Sequence, residues 1–278
     1  MDSANFKVSV DQGVGHLVLS RPDAFNAMDP AFWRELPGIV RGLDASGEVR
    51  CLVVSSTGKH FSAGMDLAVF AQGGVNPAGT DRAVAAEAFR HKVAVLQDTF
   101  SVFEQARFPV IAAIQGGCIG GAVDLISACD FRFVSADAFF QIQEINIGMT
   151  ADVGTFPRLC KLMPDGWVRQ LAYTGERLPA AEAVRLGLAN AVFDTHEALV
   201  AHALGVAKEI ASKAPVAVTG SKRMAVYARD HSTADSLDYI AVWNAAMLSP
   251  EHMMEAMSAR AQKRDAKFAD LAPRGGGL

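Results

Sequence analysis

The chain has 278 residues, half of them hydrophobic and a fifth charged, with a formal net charge of -4 and a pI near 6.0. That length leaves room for an ample core in one large domain or a domain with an appendage, and the composition excludes gross disorder. The mild acidity argues against a nucleic-acid or anionic-membrane surface, and no apolar run reaches the roughly 20 residues of a membrane span.

The four cysteines, Cys51, Cys118, Cys129 and Cys160, show neither C-x-x-C spacing nor a disulfide framework, as expected of reduced thiols inside a cell. The opening MDSANFKVSV has no basic stretch and no apolar core of a signal peptide, so a cytoplasmic location is expected. KVSVD and HLVLS, with near-alternating polarity, predict a hairpin around Gly13-Val14-Gly15. Met28 to Leu43 carries helical spacing, with Asp29 and Pro30 as N-cap and first helical residue. CLVVSS and VIAAI are short, largely β-branched apolar runs, the pattern of strands covered on both faces. Between them a Gly-containing stretch, AQGGVNPAGT, leads into a long helix over 83–105.

From about Leu178 the strand signal fades, and 180–187, 196–213, 215–229, 234–248 and 250–268 read as Ala-rich helices. Gly187 is placed as a C′ residue and Pro215 at a helix start. The fold class is therefore α/β, with an α/β core over 1–195 and a helical part over 196–278 whose end, APRGGGL, is expected to fray.

Two Gly-containing segments follow predicted strands: HFSAGMDL (60–67) after CLVVSS, and GGCIGGAVD (116–124) after VIAAI. Strand C-termini are where open α/β sheets bind ligands, and glycine lets backbone N–H groups approach them closely. One N–H from each segment could hold a single developing oxyanion, at about 3–4 kcal/mol per well-placed donor. The stretch that follows carries three acids in apolar surroundings: Asp124, Glu144 and Asp152. Converging in one dry pocket, they could not all ionise normally, which is how a protein keeps an acid beside a base. Their ordinary structural roles would be a helix-dipole Asp at 124, a strand-end charge at 144 and the N-cap of a helix starting near Val153 at 152.

HFSAGMDL and GGCIGGAVDL at this separation, with RPDAFNAMD near the start, resemble the crotonase (enoyl-CoA hydratase/isomerase) superfamily over roughly residues 6–265. The run CIGGAVDLISACDFRF through DAFFQIQEINIGMTADVGT is similar to that of its Δ3,5-Δ2,4-dienoyl-CoA isomerase branch, as is RDHSTADSLDYIAVWNAAMLS downstream. The resemblance implies a crotonase-like ββα superhelix core with a helical C-terminal trimerisation region, hence a homotrimer or homohexamer. It implies an acyl-CoA thioester substrate, with coenzyme A carried by the substrate and neither a separate cofactor nor a metal. The oxyanion hole would come from the N–H groups of Met65 and Gly121, and coenzyme A contacts from Asp23, Ala24, Ala63 and Asp66.

Hydratases of the superfamily carry glutamates at the positions of Asp124 and Glu144; the shorter Asp124 counts against water addition. In the isomerase branch Glu144 and Asp152 are the two acids that move protons. Shifting a 3,5-diene to a 2,4-diene takes a proton off C2 and puts one on C6, carbons too far apart for one carboxylate. Glu144 is thus the expected base at C2 and Asp152 the acid at C6, with Asp124 holding the pair or biasing its titration. Asp23 and Ala24 stand where relatives often carry a basic residue, and Gln115 where many carry His. An enoyl-CoA hydratase, a Δ3-Δ2-enoyl-CoA isomerase or a non-catalytic acyl-CoA-binding protein are the alternatives. The dispersed histidines read as neither nucleophile partners nor ligands. Met253, Met254 and Met257 read as helix packing or subunit contact, Lys222-Arg223 and Lys263-Arg264 as solvated faces or as cations that meet coenzyme A phosphates from a neighbouring subunit, and Phe70, Phe89, Phe140 and Phe156 as candidate acyl-pocket walls.

Overall fold

The computed structural model describes residues 3–66, 69 and 81–275. A hairpin of β1 (Phe6–Asp11) and β2 (Val14–Leu19) begins the fold. Its turn is Gln12-Gly13, both at positive φ, one step earlier than expected, so Val14 and Gly15 belong to the strand. Helix α1 (Pro30–Ser46) starts as its sequence requires: the Asp29 side chain accepts from Phe32 N and Pro30 needs no donor. Phe32, Trp33, Leu36 and Val40 form its buried stripe, each contributing about 1.5–3 kcal/mol relative to exposure. Next come β3 (Cys51–Ser56), α2 (Arg82–Gln105), capped by Asp81, and β4 (Val110–Ile114).

Then follow β5 (Gly117–Ile119), the seven-residue α3 (Gly121–Ser127), β6 (Phe131–Ser135), β7 (Phe139–Gln141) and a 3-10 turn over Glu144–Ile147. Helices α4 (Thr155–Leu162) and α5 (Asp165–Thr174), strand β8 (Arg177–Pro179), α6 (Ala180–Arg185) and β9 (Ala191–Phe193) complete the α/β part. The larger sheet has the order β1-β2-β3-β4-β6-β9, parallel except for the β1–β2 hairpin, and a second sheet has the order β5-β7-β8.

Strands β3 and β4 are buried along their whole length, and their side chains alternate between two cores. Leu52, Val54, Val110, Ala112 and Ile114 face the large core with α1 and α2. Cys51, Val53, Ile111 and Ala113 face α7 (His196–Ala211), whose stripe of Leu199, Ala203, Ala207 and Ala211 allows close approach. The first C-terminal helix is therefore a layer of the core, and the division at residue 195 runs through a packed interface.

Helices α8 (Pro215–Asp230), α9 (Thr233–Met247) and α10 (Pro250–Ala261) follow. The last ends well short of 268: Lys263 takes φ 52, and the chain beyond it runs back to the core. Arg50 bonds the Phe268 carbonyl at 2.6 Å and pairs with Asp270 at 2.7 Å, while Arg274 donates to the Ala45 carbonyl at 2.7 Å and pairs with Asp44. The described part of the tail is thus tied to α1 where fraying was expected. Lys222 is no solvated charge either: it is buried, pairs with Asp130 at 2.9 Å and donates to the carbonyls of Phe103 and Phe108. Arg223 beside it meets Tyr239, and Arg264 of the other basic pair meets Glu255, so these two are surface groups as expected. The three buried cysteines and the exposed Cys160 are all free thiols. Among the described residues no helix is long and apolar enough to cross a membrane.

Candidate active site

Segment 61–66 lies alongside β5 through backbone bonds: Ser62 N donates to Gly117 O, and Ile119 N to Ser62 O, each at 3.1 Å. The first loop closes over it, with Met28 N donating to Gly64 O at 2.8 Å and Ala63 N to Phe25 O at 2.9 Å. These bonds bring the two Gly-containing segments together. Gly64, at φ +83, sits so close to the neighbouring backbone that a Cβ would be 2.4 Å from Ile119 O and 3.1 Å from Gly121 N. A Cβ on Gly121 would lie 3.7 Å from Met65 N. The N–H groups of Met65 and Gly121 are therefore close neighbours, and neither has a protein acceptor among the described residues.

Beside them opens a cavity of about 1350 Å³. Asp124, Glu144 and Asp152 all line it, as do Met65, Gly121, Ala24, Ala63 and Asp66. Asp23 does not; it is exposed on the short 3-10 turn Pro22–Ala24. Of the four phenylalanines considered as walls, Phe89 lines the cavity, Phe140 is buried elsewhere, Phe156 packs on the core and Phe70 lies outside the described residues. The stretch 71–80 also lies outside them.

The three acids sit in different environments. Asp124, on α3, is 1% exposed, and its Oδ1 accepts from Thr155 N at 2.6 Å and from Thr155 Oγ at 2.8 Å. It does not serve its own helix; it caps α4 from 31 residues away. The N-cap position of α4 is Gly154, which makes no side-chain bond, so Asp152 is not the cap either. Gly154 takes φ +145 with Arg158 packed where a Cβ would be. Arg158 in turn is held by Glu104 at 2.8 Å and by Ser101, and Gln97 donates to the Asp152 carbonyl at 2.7 Å. The backbone carrying Asp152 is thus fastened to α2 and α3, leaving its carboxyl facing the cavity.

Glu144 opens the 3-10 turn after β7, close to Gly120, where a Cβ would be 3.2 Å from Glu144 Oε1. Its Oε2 is buried without a hydrogen-bond partner among the described residues. Burial pushes its carboxyl up to about 7, and the charges of Asp124 and then Asp152 add to the effect. Burial also lifts Asp124 to about 6 against the two Thr155 bonds, and raises Asp152. The site thus holds carboxyl groups that can be proton donors near neutral pH beside one that can be a base.

The sequence pattern of the enoyl-CoA hydratase/isomerase family matches residues 9–271. The chain belongs to that family. It is 44% identical over 260 residues, 93% of this chain and 80% of the relative, to the mitochondrial Δ3,5-Δ2,4-dienoyl-CoA isomerase of Mus musculus. To the peroxisomal Δ3,5-Δ2,4-dienoyl-CoA isomerase of Arabidopsis thaliana it is 40% identical over 264 residues, 95% of each chain. Its fold matches the crystal structure of an enoyl-CoA hydratase from Bacillus anthracis with a TM-score of 0.85 at 28% identity, covering 95% of this chain and 98% of that one.

The crotonase fold expected from the sequence is thus the observed one. Sequence reasoning missed two cations in the cavity wall of this family member, Lys92 on α2 and Arg177 on β8. Phe89, Lys92, Val93 and Leu96 follow helical spacing and all line the cavity, yet such a stripe is indistinguishable in sequence from an ordinary amphipathic face.

Proposed function

We propose that this protein is a Δ3,5-Δ2,4-dienoyl-CoA isomerase of fatty-acid β-oxidation. The observation that carries the reading is the convergence of Glu144 and Asp152, with Asp124 behind them, on the cavity that Met65 and Gly121 also line. Sequence identity of 44% and 40% to the isomerases of Mus musculus and Arabidopsis thaliana, against 30% to a crotonyl-CoA hydratase of Syntrophomonas wolfei, supports the isomerase over the hydratase.

In this reading the thioester oxygen sits between the two N–H groups. Glu144, whose Oε2 has no partner among the described residues, takes the C2 proton, and the electron pair delocalises through the diene onto the thioester oxygen. Asp152 gives its proton to C6, leaving double bonds at 2,3 and 4,5. The proton lost at C2 and the proton gained at C6 balance, so the acids return to their starting states by exchanging protons with each other or with water. Asp124 fixes α4, and with it the strand of backbone carrying Asp152, and its charge raises the basicity of Glu144.

The remaining parts of the reading are an acyl-CoA thioester as the only small partner, a cytoplasmic location, and a homotrimer or homohexamer. Leu237, Val242, Met253, Met254 and Met257 on α9 and α10 are 46–69% exposed, which favours a partner subunit over packing within the chain. The test is the ultraviolet spectrum of 3,5-octadienoyl-CoA incubated with the protein: growth of the conjugated 2,4-dienoyl absorbance is expected. Hydration of 2-octenoyl-CoA with no such absorbance would replace the isomerase with a hydratase.

A further inference from the structure

A substrate carrying coenzyme A brings phosphate groups, and the first loop offers them no free cation. Arg21 is committed within its own loop, paired with Asp29 at 3.0 Å and donating to the Ala27 carbonyl at 3.0 Å. Asp23 is acidic and Ala24 has no polar side chain. Arg177, on β8, also lines the cavity, as does its register partner Gln141. Its Cζ lies 4.3 Å above the Phe139 ring, and among the described residues its guanidinium meets neither a carboxylate nor a hydrogen-bond acceptor. Stacking occupies a face of the guanidinium and leaves the N–H donors at its edge free, the form in which arginine grips phosphate.

The neighbourhood matches. His60 lies edge-on to Phe139 at 6.2 Å and 5.5 Å from the Phe25 ring, and Phe25, half exposed at φ 50, lines the cavity mouth. Lys59 and Arg177 both hold the His60 ring toward its neutral form, after burial, so this corner carries a positive field that Asp137 only partly offsets. Lys92, the other cation of the cavity, stands instead among Phe89, Val93 and Leu96, the apolar side that suits an acyl tail.

We propose that Arg177 binds a phosphate group of the substrate's coenzyme A portion, so that in this protein the cation missing from the first loop is supplied from β8. The assignment rests on the proposed acyl-CoA function but not on its isomerase chemistry, and its test is therefore binding of unreactive esters. Calorimetric titrations of wild type, R177M and R177K with octanoyl-CoA, octanoyl-3′-dephospho-CoA and octanoyl-pantetheine separate the possibilities.

R177M is expected to bind octanoyl-CoA about tenfold more weakly than wild type, as loss of a charge-assisted bond implies. It should bind octanoyl-pantetheine, which has no phosphate, equally well. R177K should recover part of the loss, keeping the charge but not the fork. A tenfold factor that persists with the dephospho ester assigns Arg177 to the diphosphate; one that disappears assigns it to the 3′-phosphate. The same factor on all three esters would make Arg177 a structural wall and overturn the proposal, as would a change below twofold with octanoyl-CoA. Wild type that binds no octanoyl-CoA would overturn the acyl-CoA reading itself, whereas binding without dienoyl product would touch only the isomerase assignment.

Discussion

Replacing Asp124 by Asn removes a buried charge while keeping an oxygen that can accept from Thr155 N and Thr155 Oγ. In the folded protein Asp124 titrates at about 6, against 3.8 for an unperturbed Asp, because burial outweighs the two Thr155 bonds. Its folded pKa is raised, so the folded state holds the proton more tightly than the unfolded one. The associated stability is full below pH 3.8 and is lost as pH rises through 6. Two pH units at 1.36 kcal/mol each make the ionised carboxylate cost about 3 kcal/mol at pH 7. Asn avoids that cost and pays only for the exchange of an acid O–H for an amide. Urea unfolding of wild type and D124N should therefore show the variant gaining on wild type by about 2–3 kcal/mol between pH 4 and pH 7. A destabilisation of equal size at both pH values would refute the reasoning, because Asp124 would then be an unstrained cap for α4.

Other consequences are equally specific. Because Glu144 titrates at about 7 and must be ionised to act as base, kcat/KM with a 3,5-dienoyl-CoA should fall about tenfold per unit below that pH, and D124N should move this limb to lower pH by removing a charge that raises Glu144. A rate independent of pH between 5 and 8 would remove Glu144 from the role. Gly64→Ala puts a Cβ 2.4 Å from Ile119 O at a φ of +83, so the Met65 N–H must shift and kcat should drop at least about 100-fold, in line with losing one oxyanion donor. Retained kcat in a folded variant would contradict the oxyanion assignment. Lys222→Met leaves Asp130 and the carbonyls of Phe103 and Phe108 without their cation, and a loss of about 3–5 kcal/mol in denaturant unfolding is expected. A loss under 1 kcal/mol would show that the pair contributes nothing net.

Local chemistry made much of this legible in the sequence. Asp29-Pro30 announced the start of α1, and the continuous apolar runs of β3 and β4 announced a buried parallel sheet. The glycine segments marked the place where two backbones approach, because Gly64 leaves no room for a Cβ beside Ile119 O and Gly120 takes φ +54. What stayed hidden depends on partners distant in the chain. Strands β5, β7, β8 and β9 have three residues each, too few for a period, and exist through pairing with one another or with β6. The cap that Asp124 supplies to α4 spans 31 residues. Lys222 looked like a surface charge because nothing beside it in sequence reveals Asp130, and the tail looked free because Arg50 and Asp44, which hold it, lie more than 200 residues earlier. Arg177 gave no signal at all: only the β7–β8 pairing puts it over Phe139 at the cavity wall.

The most direct test of two-carboxylate proton transfer is nuclear magnetic resonance of the product formed from 3,5-octadienoyl-CoA in D2O, by wild type, E144Q and D152N. Wild type should give the 2,4-dienoyl ester with deuterium entering at C6, and neither variant should give appreciable product. Deuterium at C4, or a 3-hydroxy ester from 2-octenoyl-CoA with the diene left untouched, would contradict the account.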